Sequence, residues 1–274
     1  MARAPSVSRH GGSGARGSAT GEALRSALRA ALESSSTNEP TRMRLNDAKV
    51  LVTGGGTGIG REIARVLREG GAQVAVSGRR QNVIEEAARE LGALPVVGDV
   101  GVESDSERMV REVVAAFGGY NVLVNNAGSG RFAPLVDMDV ADFDATFATN
   151  VRGAMLMARA SARHFVTQNA GNIVNVASTA ASRGAPNGTA YHASKFALAG
   201  LTQVWRAELR KHNVRVMQVN PSEVLTDFFA AAGGHQEVSD RKLRPAEIAH
   251  AVRAMLEMDD RGFVTELTVF ATNP

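Results

Sequence analysis

Residues 49–60 read Lys-Val-Leu-Val-Thr-Gly-Gly-Gly-Thr-Gly-Ile-Gly. After Lys49 the next four are apolar or β-branched, and the run 49–53 predicts a buried strand. Five glycines crowd the seven positions from Gly54 to Gly60. A helix is expected next, over 58–69. A strand-to-helix turn so rich in glycine lets the backbone come close to a diphosphate. The helix start then offers unpaired N–H groups and the positive end of its dipole. Glycines also serve tight turns for purely structural reasons, but the setting between a strand and a helix favours a phosphate site. No Lys-Ser/Thr pair ends the loop, so it is not the phosphate loop of nucleotide triphosphatases.

Outward from this turn the chain alternates. Strands are expected at 72–77, 94–98, 121–125, 172–178, 214–220 and 263–270. Helices are expected at 81–91, 104–117, 137–168 and 189–211, and from Pro245 to about Met258. Ser104 and Glu107 stand at capping-box spacing before the second of these. Strands alternating with helices predict a parallel sheet reached by right-handed crossovers. The expected fold is α/β: one Rossmann-type, doubly wound parallel sheet of about seven strands with helices on both faces, filling 45–274.

Residues 1–44 differ. They carry seven Arg against three acidic residues and are rich in Ser, Gly and Ala. They read as a disordered basic tail, with a short amphipathic helix at 21–33, an organelle-targeting segment or an upstream start codon as the alternatives. The tail holds the positive balance of a chain whose net charge is +3, so the globular part is near neutral and suggests no nucleic-acid surface. There is no cysteine, which excludes disulfides and thiolate metal sites. Six scattered histidines give no metal-ligand spacing, and no metal is expected. No apolar run approaches the roughly 18 residues of a membrane span. A cytoplasmic protein with no membrane partner is the expectation.

The end of the second strand bears on the choice of dinucleotide. An acidic residue about 20 positions beyond the turn would hold the ribose 2′-hydroxyl of NAD. Here Gly78 is followed by Arg79 and Arg80, with no acid before Glu85. A guanidinium grips a 2′-phosphate that a carboxylate would repel, so NADP(H) is expected over NAD(H), with Arg79 as its reader. Arg80 is as readily a solvated helix-start residue.

Of two tyrosines, Tyr120 precedes a strand and reads as packing. Tyr191 lies four residues before Lys195 on an expected helix, so both share a face. A nearby ammonium favours the phenolate, which would let the pair exchange a proton near neutral pH. Ser178, at the end of the fifth strand, is placed to bond the same substrate oxygen.

Taken together, "TGGGTGIG" at 53–60, "NNAG" at 125–128, Asn150, Ser178, "YHASK" at 191–195 and "NPSEVLT" at 220–226 resemble the short-chain dehydrogenase/reductase family, of the NADP-preferring carbonyl or 3-oxoacyl reductase type. The ordered set covers 45–274. The resemblance implies that Tyr191 is the general acid or base. It also implies that Lys195 lowers the tyrosine pKa and binds the nicotinamide ribose, that Ser178 positions the substrate oxygen, and that Asn150 holds a water relaying protons from the lysine. By the same carry-over the cofactor lies on Gly54, Thr57, Gly58, Ile59 and Gly60. Asp99 would stand near the adenine, Asn125, Ala127 and Gly128 under the adenosine ribose, and Pro221, Val224 and Thr226 beside the nicotinamide. The implied function is hydride transfer between nicotinamide and a carbonyl or secondary alcohol carbon of a small molecule, in a homodimer or homotetramer. The alternative is a non-catalytic NADP(H)-sensing or scaffold protein of the same fold.

Three features depart from the family pattern. The usual Pro-Gly after the sixth strand is Pro221-Ser222, then Glu223; the C-terminal Asp-Gly-Gly is absent; and Thr57 stands where some NADP-specific members have a basic residue. Trp205 reads as dimer interface or core, and residues 155–157 as core or interface. His192 reads as surface or substrate rim. Residues 227–240, with Phe228, Phe229 and Gly233-Gly234, read as a mobile lid over a modest apolar pocket.

Overall fold

The computed structural model describes residues 43–233 and 238–273. Residues 1–42 of the basic tail, its candidate helix and Gly234 of the Gly-Gly pair lie outside the described residues. Parallel strands alternate with helices throughout. The first half runs β1 (Lys49–Thr53), α1 (Gly58–Glu69), β2 (Gln73–Gly78), α2 (Gln81–Leu91), β3 (Leu94–Val97), α3 (Glu103–Phe117) and β4 (Val122–Asn125). The second half runs α4 (Val140–Phe147), a π-helical stretch (Ala148–Gly153), α5 (Ala154–Gln168), β5 (Gly171–Val176), α6 (Thr189–Leu209), β6 (Val214–Pro221), α7 (Phe228–Ala231), α8 (Pro245–Leu256) and β7 (Glu266–Val269).

The seven strands lie in the order β3-β2-β1-β4-β5-β6-β7, all parallel. The chain works outward from β1 to β3, then returns to the centre with β4. The strand order reverses between β1 and β4, and at such a point a crevice opens beyond the carboxyl ends of the strands.

Strand side chains alternate between two buried layers. Val50, Val52, Val74, Val76, Val122, Val124, Val174 and Met217 pack on one face with residues of α1 and α8. Leu51, Ala75, Leu123, Ile173 and Val216 pack on the other with residues of α3 and α5. Both faces are dry, which is why the strands read as continuous apolar runs rather than as alternating ones. Full burial of each large side chain contributes about 1.5–3 kcal/mol before chain entropy is set against it.

Several boundaries differ from expectation; β5 ends at Val176, two residues short of Ser178, and α6 at Leu209. The span 137–168 is not one helix: α4 and α5 are joined by the π-helical stretch, which contains Asn150. Ser104 is not a cap. Helix α3 begins a residue earlier with Val102 at its N-cap, and Glu107 bonds Arg163 on α5 at 3.0 Å instead of reaching back. β7 is confined to four residues, which pair with Gln218 to Pro221 of β6. Helix α8 stops at Leu256, two residues short of Met258.

Candidate active site

The turn after β1 is laced to the end of β4. Thr53 Oγ1 accepts the backbone N–H groups of Asn126 (3.1 Å) and Ala127 (3.0 Å). The Asn126 side-chain amide in turn donates to the carbonyls of Thr53 (3.0 Å) and Gly54 (3.2 Å). Gly54 sits at φ +63°, in the left-handed region that favours glycine. A Cβ on Gly60 would collide with Asn126 Nδ2 and the Gly54 carbonyl. The turn therefore closes tightly on β4 only with glycine at these two positions. Helix α1 has no acidic residue in its first turn, and its leading N–H groups lack intrahelical partners. This bare, glycine-lined helix start fits a diphosphate.

From there a single cleft of about 1160 Å³ runs along the carboxyl ends of the strands. Gly54, Thr57, Gly58 and Ile59 line one end, with Arg79 and Asp99 beyond them. Arg79 is 68% exposed, and its Nη1 stands 3.8 Å from Asp99 Oδ2. Asp99 is fixed by its loop: its Oδ1 accepts from Gly101 N at 2.8 Å, and its own N–H donates to Asp105 at 2.9 Å. Arg80 occupies the N-cap position of α2 without capping it.

Ala127 and Gly128 line the middle, and Pro221, Val224 and Thr226 the far wall. Gly60, Asn125 and Asn150 stand behind the lining. Asn125 is 4% exposed and holds the Ala154 carbonyl and Asn175 Oδ1, both at 3.1 Å, so its side chain supports the floor. Glu223 takes a bond from Lys242 at 2.9 Å, and Leu225 N donates to the Leu243 carbonyl at 2.8 Å. The unusual Ser222-Glu223 loop is thereby braced against the segment ahead of α8.

Ser178, Tyr191 and Lys195 meet at the other end of the cleft. Tyr191 and Lys195 share a face of α6, and Lys195 Nζ lies 5.7 Å from the Tyr191 ring centre. Lys195 is 5% exposed and donates to the Val176 carbonyl at 3.0 Å. Burial pulls its ammonium down to about 8. Burial raises the Tyr191 phenol above its ordinary value, and the hydrogen bond with Ser178 opposes that rise. Burial, and not the expected lowering by the lysine, sets the direction of the Tyr191 shift. Desolvation acts on both groups and dominates.

Asn150 lies behind the pair. It clasps the backbone of Ser129, accepting from its N–H and donating to its carbonyl, both at 2.8 Å, and it reaches Ser194 Oγ at 2.9 Å. Gly128 faces the space between Asn150 and the lysine: a Cβ there would stand 3.4 Å from Asn150 Oδ1 and 3.7 Å from Lys195 Nζ.

The remaining residues take quieter places. Tyr120 is buried with its hydroxyl 3.1 Å from Ser161 Oγ. His192 lies at the cleft rim with Nδ1 2.6 Å from the Arg183 carbonyl. Trp205 packs partly buried against the core, and Leu156 and Met157 are buried in it. Among the described residues no His, Cys, Asp or Glu cluster is arranged for a metal, and no helix is long and apolar enough to cross a membrane. Two residues join the site without a mark in the sequence pattern, Ser129 and Phe132, while Asn126 lies inside the NNAG stretch without a role assigned to it there. Their only signal is position, just after β4 at the strand-order reversal.

Residues 48–237 match the short chain dehydrogenase family. The chain is 39% identical over 229 residues to L-xylulose reductase of Caenorhabditis elegans, covering 79% of this chain and 90% of that one. A solved 3-ketoacyl-(acyl-carrier-protein) reductase from Brucella melitensis, complexed with NADH, superposes with a TM-score of 0.76 at 29% identity, covering 83% of this chain and 98% of the other. A metagenomic short-chain oxidoreductase in complex with NADP superposes at 0.72 with 33% identity, covering 82% and 98%. The chain belongs to the short-chain dehydrogenase family of oxidoreductases.

Proposed function

We propose that this chain is an NADP(H)-dependent oxidoreductase that moves a hydride between nicotinamide and a carbonyl or secondary alcohol carbon, with Tyr191 as general acid or base. The observation that carries the reading is the continuity of one cleft. It runs from a glycine-lined helix start to a Tyr-Lys pair whose lysine is buried, with a serine beside the phenol.

The dinucleotide would lie with its diphosphate on residues 54–60 and its adenine end between Arg79 and Asp99. Its ribose and nicotinamide would lie along Ala127, Gly128, Lys195, Pro221, Val224 and Thr226. It supplies the hydride; the protein supplies position and proton. In reduction Ser178 holds the carbonyl oxygen and Tyr191 protonates it. Lys195 holds the ribose, and its charge beside the ring favours the phenolate left behind. Asn150 Oδ1 borders the gap that Gly128 leaves open, 3.4 Å from where a Cβ would stand. That gap is where this reading puts the water that carries protons onward. Phe196 and Val204 on α6 are 47% and 51% exposed, which supports a second copy packing there in a homodimer or homotetramer.

The solved relatives differ in cofactor, one with NADH and one with NADP, so the selectivity argument rests on Arg79. Arg79→Ala is expected to raise the Kd for NADPH roughly tenfold, the worth of one charge-assisted bond, and to leave NADH nearly unaffected. Equal weakening of both would remove Arg79 as the reader of the 2′-phosphate. The function itself is tested by measuring NADPH and NADH binding, then oxidation of each against ketones, aldehydes and 3-oxoacyl thioesters. Tight NADPH binding with no turnover would favour the non-catalytic sensor.

A further inference from the structure

Four aromatic rings converge at the substrate end of the cleft. Phe132, from the loop after β4, lies 5.5 Å from the Tyr191 ring, and Phe228 of α7 lies 5.3 Å from it. Phe229 stacks on Phe132 at 5.9 Å with planes 14° apart, and meets Phe228 edge-on at 5.7 Å. These are separations at which ring pairs attract beyond their buried area. Gly130 lets them close, since a Cβ there would stand 2.9 Å from Phe228 Cζ and 3.3 Å from Tyr191 Cδ2. Arg131 holds the short α7 from outside: Nη1 donates to the Ala231 carbonyl at 2.8 Å while Nε faces Asp142 of α4 at 3.3 Å.

Several polar groups at this end are engaged within the protein. Arg131 is committed as described, Glu223 bonds Lys242, and His192 Nδ1 is against the Arg183 carbonyl. Arg183 and Asp227 are exposed and line the mouth. A polyol laid against the Phe132 and Phe228 rings beside Tyr191 would lose water from hydroxyls that those rings cannot bond. A flat ring would lose little and gain stacking.

We infer that, granted the reductase reading above, the substrate is an aryl or other planar conjugated carbonyl. Its ring lies against Phe132 and Phe228, and its oxygen points to Tyr191 and Ser178. In reduction the carbonyl carbon receives hydride from NADPH and its oxygen a proton from Tyr191, giving the aryl carbinol and NADP+. Phe228 is the residue that sets this preference.

The test compares kcat/KM, with NADPH, for acetophenone, for the equally bulky cyclohexyl methyl ketone and for a ketose. The wild type is expected to favour acetophenone roughly tenfold over the cyclohexyl ketone through ring stacking. It is expected to favour it roughly a hundredfold over the ketose through unpaired hydroxyls. Phe228→Leu, which keeps apolar bulk and removes the ring, is expected to collapse the first ratio toward unity. A wild type that prefers the cyclohexyl ketone or the ketose, or a ratio unmoved in Phe228→Leu, overturns the inference and leaves the reductase reading intact. If no carbonyl is turned over, that reading falls, and calorimetry with NADP+ present decides the aryl pocket. Binding of 1-phenylethanol tighter than 1-cyclohexylethanol, and lost in Phe228→Leu, sustains it. Equal binding overturns it.

Discussion

Tyr191→Phe is expected to bind NADPH and to lose roughly 10²–10⁴-fold in turnover, the usual contribution of a positioned acid or base. The substitution removes one oxygen and leaves the ring contacts to Phe132 and Phe228 in place. Loss of activity therefore reports proton transfer rather than collapse of the pocket. Its pH signature has a definite sign. The acid form is needed for reduction, and burial holds the phenol above its ordinary 10.0, so the Tyr191 limb of the reductive profile should lie in strong alkali, separate from any loss near pH 8 that follows the Lys195 charge. The Ser178 hydrogen bond opposes that rise, so Ser178→Ala should carry the alkaline limb to still higher pH. Near-normal turnover in the phenylalanine variant would take Tyr191 out of the mechanism.

Lys195→Met is expected to make a dead but sturdier protein. The lysine is 5% exposed, with one carbonyl partner, and burial lowers it from the ordinary 10.5 to about 8. Below pH 8 it is charged both folded and unfolded, and the whole burial penalty falls on the native state. Between 8 and 10.5 the unfolded chain binds more protons than the folded one, so native stability rises with pH and the penalty fades. The drop corresponds to about 3 kcal/mol at neutral pH. Methionine fills a similar volume with no charge to desolvate. Thermal unfolding should show a higher Tm for the variant at pH 7 and a narrowing gap toward pH 10. A variant less stable than wild type at pH 7 would mean that the bond to Val176 outweighs the desolvation.

The alternation of strands and helices was legible because the central strands are buried on both faces and most helices on one, so periodicity records both. The split of 137–168 was not legible. A π-helical turn interrupts neither the chain's direction nor its apolar face, yet it sets where Asn150 points. Local pattern has no letter for it. Ser104 misled for a related reason: cap spacing is a local signal, and Arg163, 56 residues past Glu107, competes for the same carboxylate. Tyr191, Lys195 and Ser178 were visible through order and spacing. Phe132 was not, because its partner Phe228 is distant in the chain and only the sheet order brings the two loops together. The direction of the Tyr191 shift also lay beyond the sequence, which names the neighbouring charge but not the depth of burial.

The position of β4 has a consequence for the chain as it is being made. Strands β1 to β3 and their helices are complete once Val97 has emerged, but β1 sits in the middle of the final sheet, and its inner edge waits for Val122–Asn125. An open central edge of this kind invites pairing with foreign strands. Lys195 follows Val97 by about a hundred residues, which at ribosomal rates is roughly 5–20 s. For that interval a nascent chain can present its glycine-rich helix start while nothing stands ready to move a proton.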